Sequence, residues 1–198
     1  MLSFLLMALL ALTAENVLFT RALGVNQLFW AVERPRRMGW FGLLLTLSTV
    51  LTGLISWTFR GVVSALPLGY ISQPVSYILM MAVVYTGIWL FFRYGFSGRY
   101  QAAFQKLRRP LEMAVCNMAV LGALVFPSFQ KAGFLETIGY GLGSSVGFLL
   151  AMLLVREGEL RLEMCNVPRA FRGLPVTLIY IGLISLAFYG LVGHQLPA

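Results

Sequence analysis

Six apolar segments alternate with short polar stretches along this chain, and several approach the roughly 20 residues that a helix needs to cross the hydrocarbon of a bilayer. These segments are 2–22, 39–59, 75–92, 113–126, 134–155 and 175–192. The pattern predicts an all-α membrane protein with six transmembrane helices, which forms a single integral membrane domain over residues 1–198.

Polar residues interrupt two of the six segments. Glu15 and Asn16 lie inside the first, whereas the short fourth segment contains Cys116 and Asn117 and ends at Pro127. Polar groups at bilayer depth are costly and usually face the protein interior, a cavity or a partner. We therefore expect interrupted first and fourth helices, with Glu15, Asn16 and Asn117 forming a polar site near the midplane. The alternative is that the two asparagines only form hydrogen bonds between packed helices.

The chain contains an internal repeat at an offset of about 101 residues. The matching positions are Asn16 with Asn117, Pro74-Val75-Ser76 with Pro175-Val176-Thr177, and, at an offset of 100, Gly39-Trp40 with Gly139-Tyr140. Each half, about 1–95 and 110–198, holds three spans. Because three is odd, the second half enters the membrane from the opposite side, which predicts two inverted three-helix repeats.

The charges give an orientation for these helices. The chain is 59% hydrophobic and 11% charged with a formal net charge of +8, and 13 of its 15 Lys and Arg residues lie at the end of, or after, the first, third and fifth segments. The second and fourth loops contain only Arg60 and Lys131. The positive-inside rule places the basic loops in the cytoplasm and both termini outside it. The excess of basic residues therefore indicates contact with a membrane surface, and we expect no nucleic acid as a partner.

Glu15 is the one carboxylate inside an apolar stretch of the first half. A buried carboxylate is either protonated or paired with a cation. Arg21 is a candidate partner, but six residues exceed the i,i+4 reach of a helix unless the helix breaks. Two interpretations stay open here: a proton or cation site, or a hydrated residue at the outer interface.

Signatures of soluble enzymes are missing from the sequence. It has no glycine-rich phosphate loop after a strand, no HExxH and no nucleophile elbow, and its two cysteines, Cys116 and Cys165, form no CxxC pair. We expect no catalytic residues and no metal site in this chain, and by itself it is not expected to be a complete enzyme.

The same polar positions resemble a known family, the six-span membrane subunits of the Rnf complex and of the sodium-translocating NADH:quinone reductase (Nqr). The chain is most similar to the A-type subunit of Rnf and to its E-type counterpart in Nqr. The residues that carry the resemblance are Glu15-Asn16 with Leu23-Gly24, Asn117 with Ala119-Val120-Leu121-Gly122, Ser145-Val146-Gly147-Phe148, Arg156-Glu157, Val167-Pro168, Phe171-Arg172-Gly173, and Leu183-Ile184-Ser185-Leu186-Ala187-Phe188 with Gly190.

This resemblance implies a place in an ion-translocating electron transport complex of the bacterial plasma (inner) membrane. Such a complex couples electron transfer between ferredoxin or NADH and a second acceptor to the movement of Na⁺ or H⁺. The implied partners are an opposite-topology homologous subunit and the other Rnf-like subunits.

The resemblance also implies a [2Fe-2S] cluster to which each of two facing subunits gives two cysteines. The matching positions here are Asn26 and Met118. Because iron-sulfur clusters are held by thiolates, we expect this chain to bind no such cluster through its own residues. Cys116 is a nearby thiol, but two residues turn a helix by about 200°. Only an unwound backbone would bring it to the same side.

Three functions are compatible with these residues. The first is a divergent Rnf/Nqr-like membrane subunit without its own cluster ligands. The second is a transporter or permease that reuses the inverted repeat for a small molecule or ion. In that case Glu15, Asn16, Asn26, Gln27 and Asn117 would line the path. The third is a paralogue that serves assembly only.

Overall fold

The computed structural model describes residues 2–64, 69–95, 101–129 and 132–192, and its regular structure over these residues is entirely helical. The helices are α1 (Leu2–Leu12), α2 (Val25–Val32), α3 (Pro35–Ser64), α4 (Gly69–Gly95), α5 (Gln101–Val115), α6 (Met118–Phe129), α7 (Phe134–Met164) and α8 (Leu174–Val192), with a 3-10 turn at Arg169–Phe171 before α8.

Four segments of the described chain are long and apolar enough to cross a membrane, and two shorter apolar helices accompany them. The four are Arg37–Gly61, Val75–Tyr94, Arg108–Pro127 and Phe134–Met164, and the shorter two are Leu2–Leu12 and Leu174–Gly190. The predicted fold class is confirmed: the chain is a multi-helix membrane protein, and its first and fourth helices are interrupted.

Several helix ends differ from the predicted bounds. The first helix stops at Leu12 instead of 22, whereas α7 continues to Met164 instead of stopping at 155. Arg156 and Arg161, expected in a loop, therefore lie on α7, and Arg108 and Arg109 lie on α5. Helix α7 is longer because hydropathy marks only the part of a helix inside the hydrocarbon, while backbone hydrogen bonds continue into polar residues. The first helix is shorter because the Asn16 side chain takes the backbone N–H groups of Leu18 and Phe19. Arg99 and Lys131, which belong to the charge pattern, lie outside the described residues.

Helix α7 is central, and its glycines allow α1 to approach closely. A methyl group at Gly139 would lie 2.6 Å from the carbonyl oxygen of Phe4, and one at Gly147 would lie 3.2 Å from that of Leu12. Between them, Gly143 faces the Ala8 backbone. Small residues at a spacing of four commonly form such membrane helix contacts. Because the residue numbers rise together on both helices, α1 and α7 are parallel.

Helices α3 and α7 instead run antiparallel. Gly42 contacts Leu149, the hydroxyl oxygens of Thr49 and Ser145 lie 2.6 Å apart, and a methyl group at Gly53 would lie 3.5 Å from Thr137. In two repeats of the same orientation, α3 and α7 would be parallel and α1 and α7 antiparallel. The observed directions are the reverse of this, as an inverted repeat requires.

The main core lies where the long helices meet the broken ones. Phe41 of α3 and Phe148 of α7 are fully or almost fully buried, with ring centroids 6.0 Å apart. Leu28 and Val115, which flank the two breaks, belong to the same cluster. Large apolar side chains such as Leu79 on α4 and Leu186 on α8 are exposed, as expected of surfaces that face lipid. The packing therefore holds both breaks against α3 and α7.

Candidate functional site

The first helix break is organised by the side chain of Asn16, which is completely buried. Its Nδ2 donates to the carbonyl oxygens of Leu12 and Gly147, both at 3.1 Å. Its Oδ1 accepts from the backbone N–H groups of Leu18 and Phe19 at 3.1 and 3.2 Å. Asn16 thus stabilises the end of α1 and the following turn, and it joins both to α7.

The turn after Asn16 leads into α2 through two residues with positive φ. Ala22 has a φ of 53° and Gly24 a φ of 81°. A methyl group at Gly24 would lie 2.5 Å from Asn117 Oδ1 and 2.8 Å from the Phe148 ring. Gly24 is therefore required both by its backbone conformation and by the close approach of the second break.

The second break is organised by Asn117, which is also completely buried. Helix α5 ends at Val115 and α6 begins at Met118. Asn117 Oδ1 accepts from the backbone N–H of Ala119 at 2.9 Å, which caps α6. Its Nδ2 is buried and has no acceptor among the described residues.

The two breaks contact each other directly. Gln27 Nε2 lies 3.5 Å from the backbone oxygen of Cys116, and Gly122 of α6 packs against Leu23 and Val17. The N-terminal ends of α2 and α6 are thereby brought together. Both ends carry the positive partial charge of a helix dipole.

Three side chains at this junction are exposed: Asn26, Cys116 and Met118, the last with 58% of its surface accessible. Cys116 lies in the unwound backbone between α5 and α6, so the rotation expected of a continuous helix does not apply to it. The thiol is therefore exposed at the junction, as are the two positions expected to have lost cysteines. We call these three exposed residues the edge of the junction.

The donor chemistry of this edge does not fit the cluster that the resemblance implies. It offers one amide, one thioether and one thiol, whereas the resemblance requires two thiolates from each chain. Cys165 lies after the end of α7 and is not part of the junction. Within the described ranges, no three His, Cys, Asp or Glu side chains come together as a metal site.

Glu15 is paired with a cation. Arg21 Nη2 lies 2.5 Å from Glu15 Oε2, and the Arg21 and Glu15 side chains remain 37% and 28% exposed, respectively. The guanidinium also lies over the Phe126 ring, 5.5 Å from its centroid. The pair forms because α1 ends at Leu12 and the chain then turns. In a continuous helix, side chains six residues apart would not meet.

Two contacts of the site could not be read from the order of residues. The acceptor of Asn16 on α7 is a backbone carbonyl 131 residues away, and the partner of Gln27 is also a carbonyl. The spacing of Gly139, Gly143 and Gly147 was the available signal, since it marks the face of α7 on which another helix packs.

One family of membrane proteins matches nearly the whole chain. A family model described as Rnf-Nqr subunit, membrane protein, matches residues 4–194. The A subunit of the Na(+)-translocating ferredoxin:NAD(+) oxidoreductase complex of Acetobacterium woodii is 29% identical over 187 residues, which cover 94% of this chain and 95% of that protein.

Two further relatives carry the name of the A subunit of an ion-translocating oxidoreductase complex. That of Syntrophotalea carbinolica is 30% identical over 96% of this chain and 97% of its own length. That of Shewanella sediminis is 34% identical over 76% of this chain and 74% of its own. The family match over nearly the whole chain shows that this protein belongs to the Rnf-Nqr family of membrane subunits.

Proposed function

We propose that this chain is a membrane subunit of an Rnf/Nqr-like, ion-translocating electron transport complex, in a divergent form that does not ligate a [2Fe-2S] cluster with its own residues. Relatives that match it over almost their full length are named as the A subunit of such complexes. The observation that carries the proposed divergence is the donor set at the junction, where Asn26 and Met118 occupy the expected cysteine positions.

A partner subunit is supported by the exposed edge of the junction. Asn26 is an exposed polar side chain, and Cys116 and Asn117 are not helical. Lipid offers no hydrogen bonds, so unwound backbone and polar side chains at bilayer depth need protein or water beside them. We propose that a homologous subunit of opposite topology covers this edge.

The test is co-purification of the tagged chain from its native membrane in mild detergent, followed by identification of the proteins that accompany it. We expect other membrane subunits of an ion-translocating oxidoreductase in stoichiometric amount. Purification of the chain alone, with specific binding of a transported solute, would contradict the proposal and favour a transporter.

Iron analysis of the isolated pair of membrane subunits tests the divergence separately. We expect fewer irons than one complete cluster and no thiolate-to-iron absorption bands that depend on Cys116. About two irons per pair, lost in the Cys116→Ser variant but kept in Cys165→Ser, would show that this chain does contribute a ligand. That result would not affect the proposed membership of the complex.

A further inference from the structure

A cavity of about 690 Å³ lies between the end of α2, the last turns of α7, the segment 165–173 and the start of α8. Its apolar walls include Phe29, Val32, Leu160 and Leu174. Charged residues of both signs also line it: the acidic Glu33, Glu159 and Glu163 and the basic Arg156 and Arg172. Asn26, Cys116 and Met118 are not among its lining residues, and the proposed function does not use the cavity.

The position of the cavity along α7 sets its depth. The helix has 31 residues, or about 46 Å at 1.5 Å per residue, which exceeds the roughly 30 Å of hydrocarbon. Its apolar part ends at Val155, and the residues of α7 that line the cavity begin at Arg156. The cavity therefore lies at the level of lipid headgroups, on the side where the basic residues gather.

Some of the lining charges are already engaged. Arg156 Nη1 donates to the backbone oxygen of Val32 at 2.8 Å, and Glu33 forms an ion pair with Arg37 at 2.9 Å. Arg172 uses its Nε for the carbonyl oxygen of Val167 at 3.1 Å, which leaves its terminal amino groups. These interactions position the walls of the cavity and leave other charged groups for a ligand.

Glu159 and Glu163 are the remaining acids of the lining. They lie one turn apart on α7, and no ion pair to either is found within the part of the chain that the structure describes. Like charges at this spacing repel each other, so a cation between them would be favourable. No set of three His, Cys, Asp or Glu for a metal ion is present among the described residues.

We propose that this cavity binds the headgroup of a zwitterionic phospholipid. The ammonium group interacts with the carboxylates of Glu159 and Glu163, and the phosphate accepts hydrogen bonds from the terminal amino groups of Arg172. The glycerol and the first acyl carbons lie along Leu160 and Leu174. Charge complementarity selects this ligand, because a metal ion would leave the arginine and the apolar walls unused, and a purely anionic headgroup would meet two carboxylates.

The test measures lipid binding to the full chain in detergent by native mass spectrometry, with phosphatidylethanolamine and phosphatidylglycerol of identical acyl chains. We expect preferential retention of phosphatidylethanolamine. The double variant Glu159→Gln/Glu163→Gln and the variant Arg172→Gln should each bind it at least about tenfold more weakly, as expected for charge-assisted hydrogen bonds. The matched controls Glu157→Gln and Arg169→Gln make the same kinds of charge change at residues that do not line the cavity, and they should bind like the unaltered chain.

Equal retention of both lipids by the unaltered chain would overturn the proposal, whether or not the variants fold. So would an equal loss of binding in the two control variants. Free phosphoethanolamine provides the third arm: if it competes as strongly as the complete lipid, the occupant is a small soluble ligand and not a lipid.

Discussion

At the scale of residues, Asn16 and Asn117 occupy equivalent positions in the repeat but make different use of their side chains. Both cap the turn that follows a break, through Leu18 and Phe19 in one case and Ala119 in the other. Only Asn16 also satisfies its Nδ2 group within the described part of the chain, with Leu12 and Gly147. A buried amide with all its partners stabilises a break. The cost of burying the unpaired N–H of Asn117 instead offsets part of the stabilisation that its cap provides.

Replacement of the two asparagines by leucine should therefore have unequal effects on stability. Asn16→Leu removes four hydrogen bonds and leaves buried backbone groups without partners, so we expect a loss of about 2–4 kcal/mol in the free energy of unfolding. Asn117→Leu removes one cap and also the unpaired donor, for a loss of about 1 kcal/mol or less. Equilibrium unfolding in detergent mixtures, followed by circular dichroism, measures both. Equal losses would contradict this assignment.

The two positions that lack cysteines should accept them again. In the double variant Asn26→Cys/Met118→Cys, both thiols would lie on exposed positions of the junction. We expect this variant, co-expressed with an opposing subunit that supplies two cysteines, to gain iron and thiolate absorption bands. The double variant Asn26→Ser/Met118→Ser is the matched control and should gain neither. Absence of iron in the cysteine variant would contradict the proposed position of this edge against an opposing subunit.

At the scale of elements, the contact between α1 and α7 depends on the absence of side chains on α7. Gly139, Gly143 and Gly147 face the backbone of Phe4, Ala8 and Leu12 in turn. This close approach places the carbonyl of Gly147 within reach of Asn16. Helix packing and the first break are thus one structural unit, since a shift of α1 would also remove a hydrogen bond of Asn16.

The substitution Gly143→Ala tests this unit. Its methyl group would overlap the Ala8 backbone, which cannot move without displacing α1, so we expect a loss of about 1–3 kcal/mol. Gly87→Ala on α4 is the control, because nothing lies within 4 Å of its added methyl group. It should be neutral or stabilising by about 0.5–1 kcal/mol. Thermal unfolding in one detergent compares the two, and an unaffected Gly143→Ala protein would argue against the close contact.

At the scale of the whole molecule, the inverted repeat and the charge pattern together predict one orientation. Helix α7 begins after Gly133 at one end of the bundle and is followed by Cys165 at the other. The basic residues Arg156, Arg161 and Arg172 accompany the second end. The positive-inside rule therefore predicts that Cys165 is cytoplasmic and Gly133 is on the outer side.

Labelling with a membrane-impermeant maleimide measures this orientation. In the Cys116→Ser variant, we expect Cys165 to react in inverted vesicles but not in intact spheroplasts. A cysteine introduced as Gly133→Cys, in a chain that also carries Cys116→Ser and Cys165→Ser, should react in spheroplasts instead. Reaction of both from the same side would rule out a single passage of α7 across the membrane.

The membrane class, the interruption of the first and fourth helices and the inverted relation of the halves could all be predicted from the order of residues. They follow from properties of individual segments: apolar length, polar residues within it, and an odd number of spans in each half. The sequence alone likewise shows that Asn26 and Met118 stand at the two positions where the family resemblance implies cysteines.

The ends of the broken helices, and the groups that satisfy their backbone, became visible only in the folded chain. The end of α1 at Leu12, the Glu15–Arg21 pair and the exposure of Cys116 all depend on unwound backbone. A break is stable in lipid only where its free N–H and C=O groups find partners. The Asn16 side chain accepts from two such N–H groups and is itself bound to the carbonyl of Gly147, 131 residues away. Hydropathy and charge are local quantities, so they indicate that a helix is interrupted but not the distant contact that holds it open.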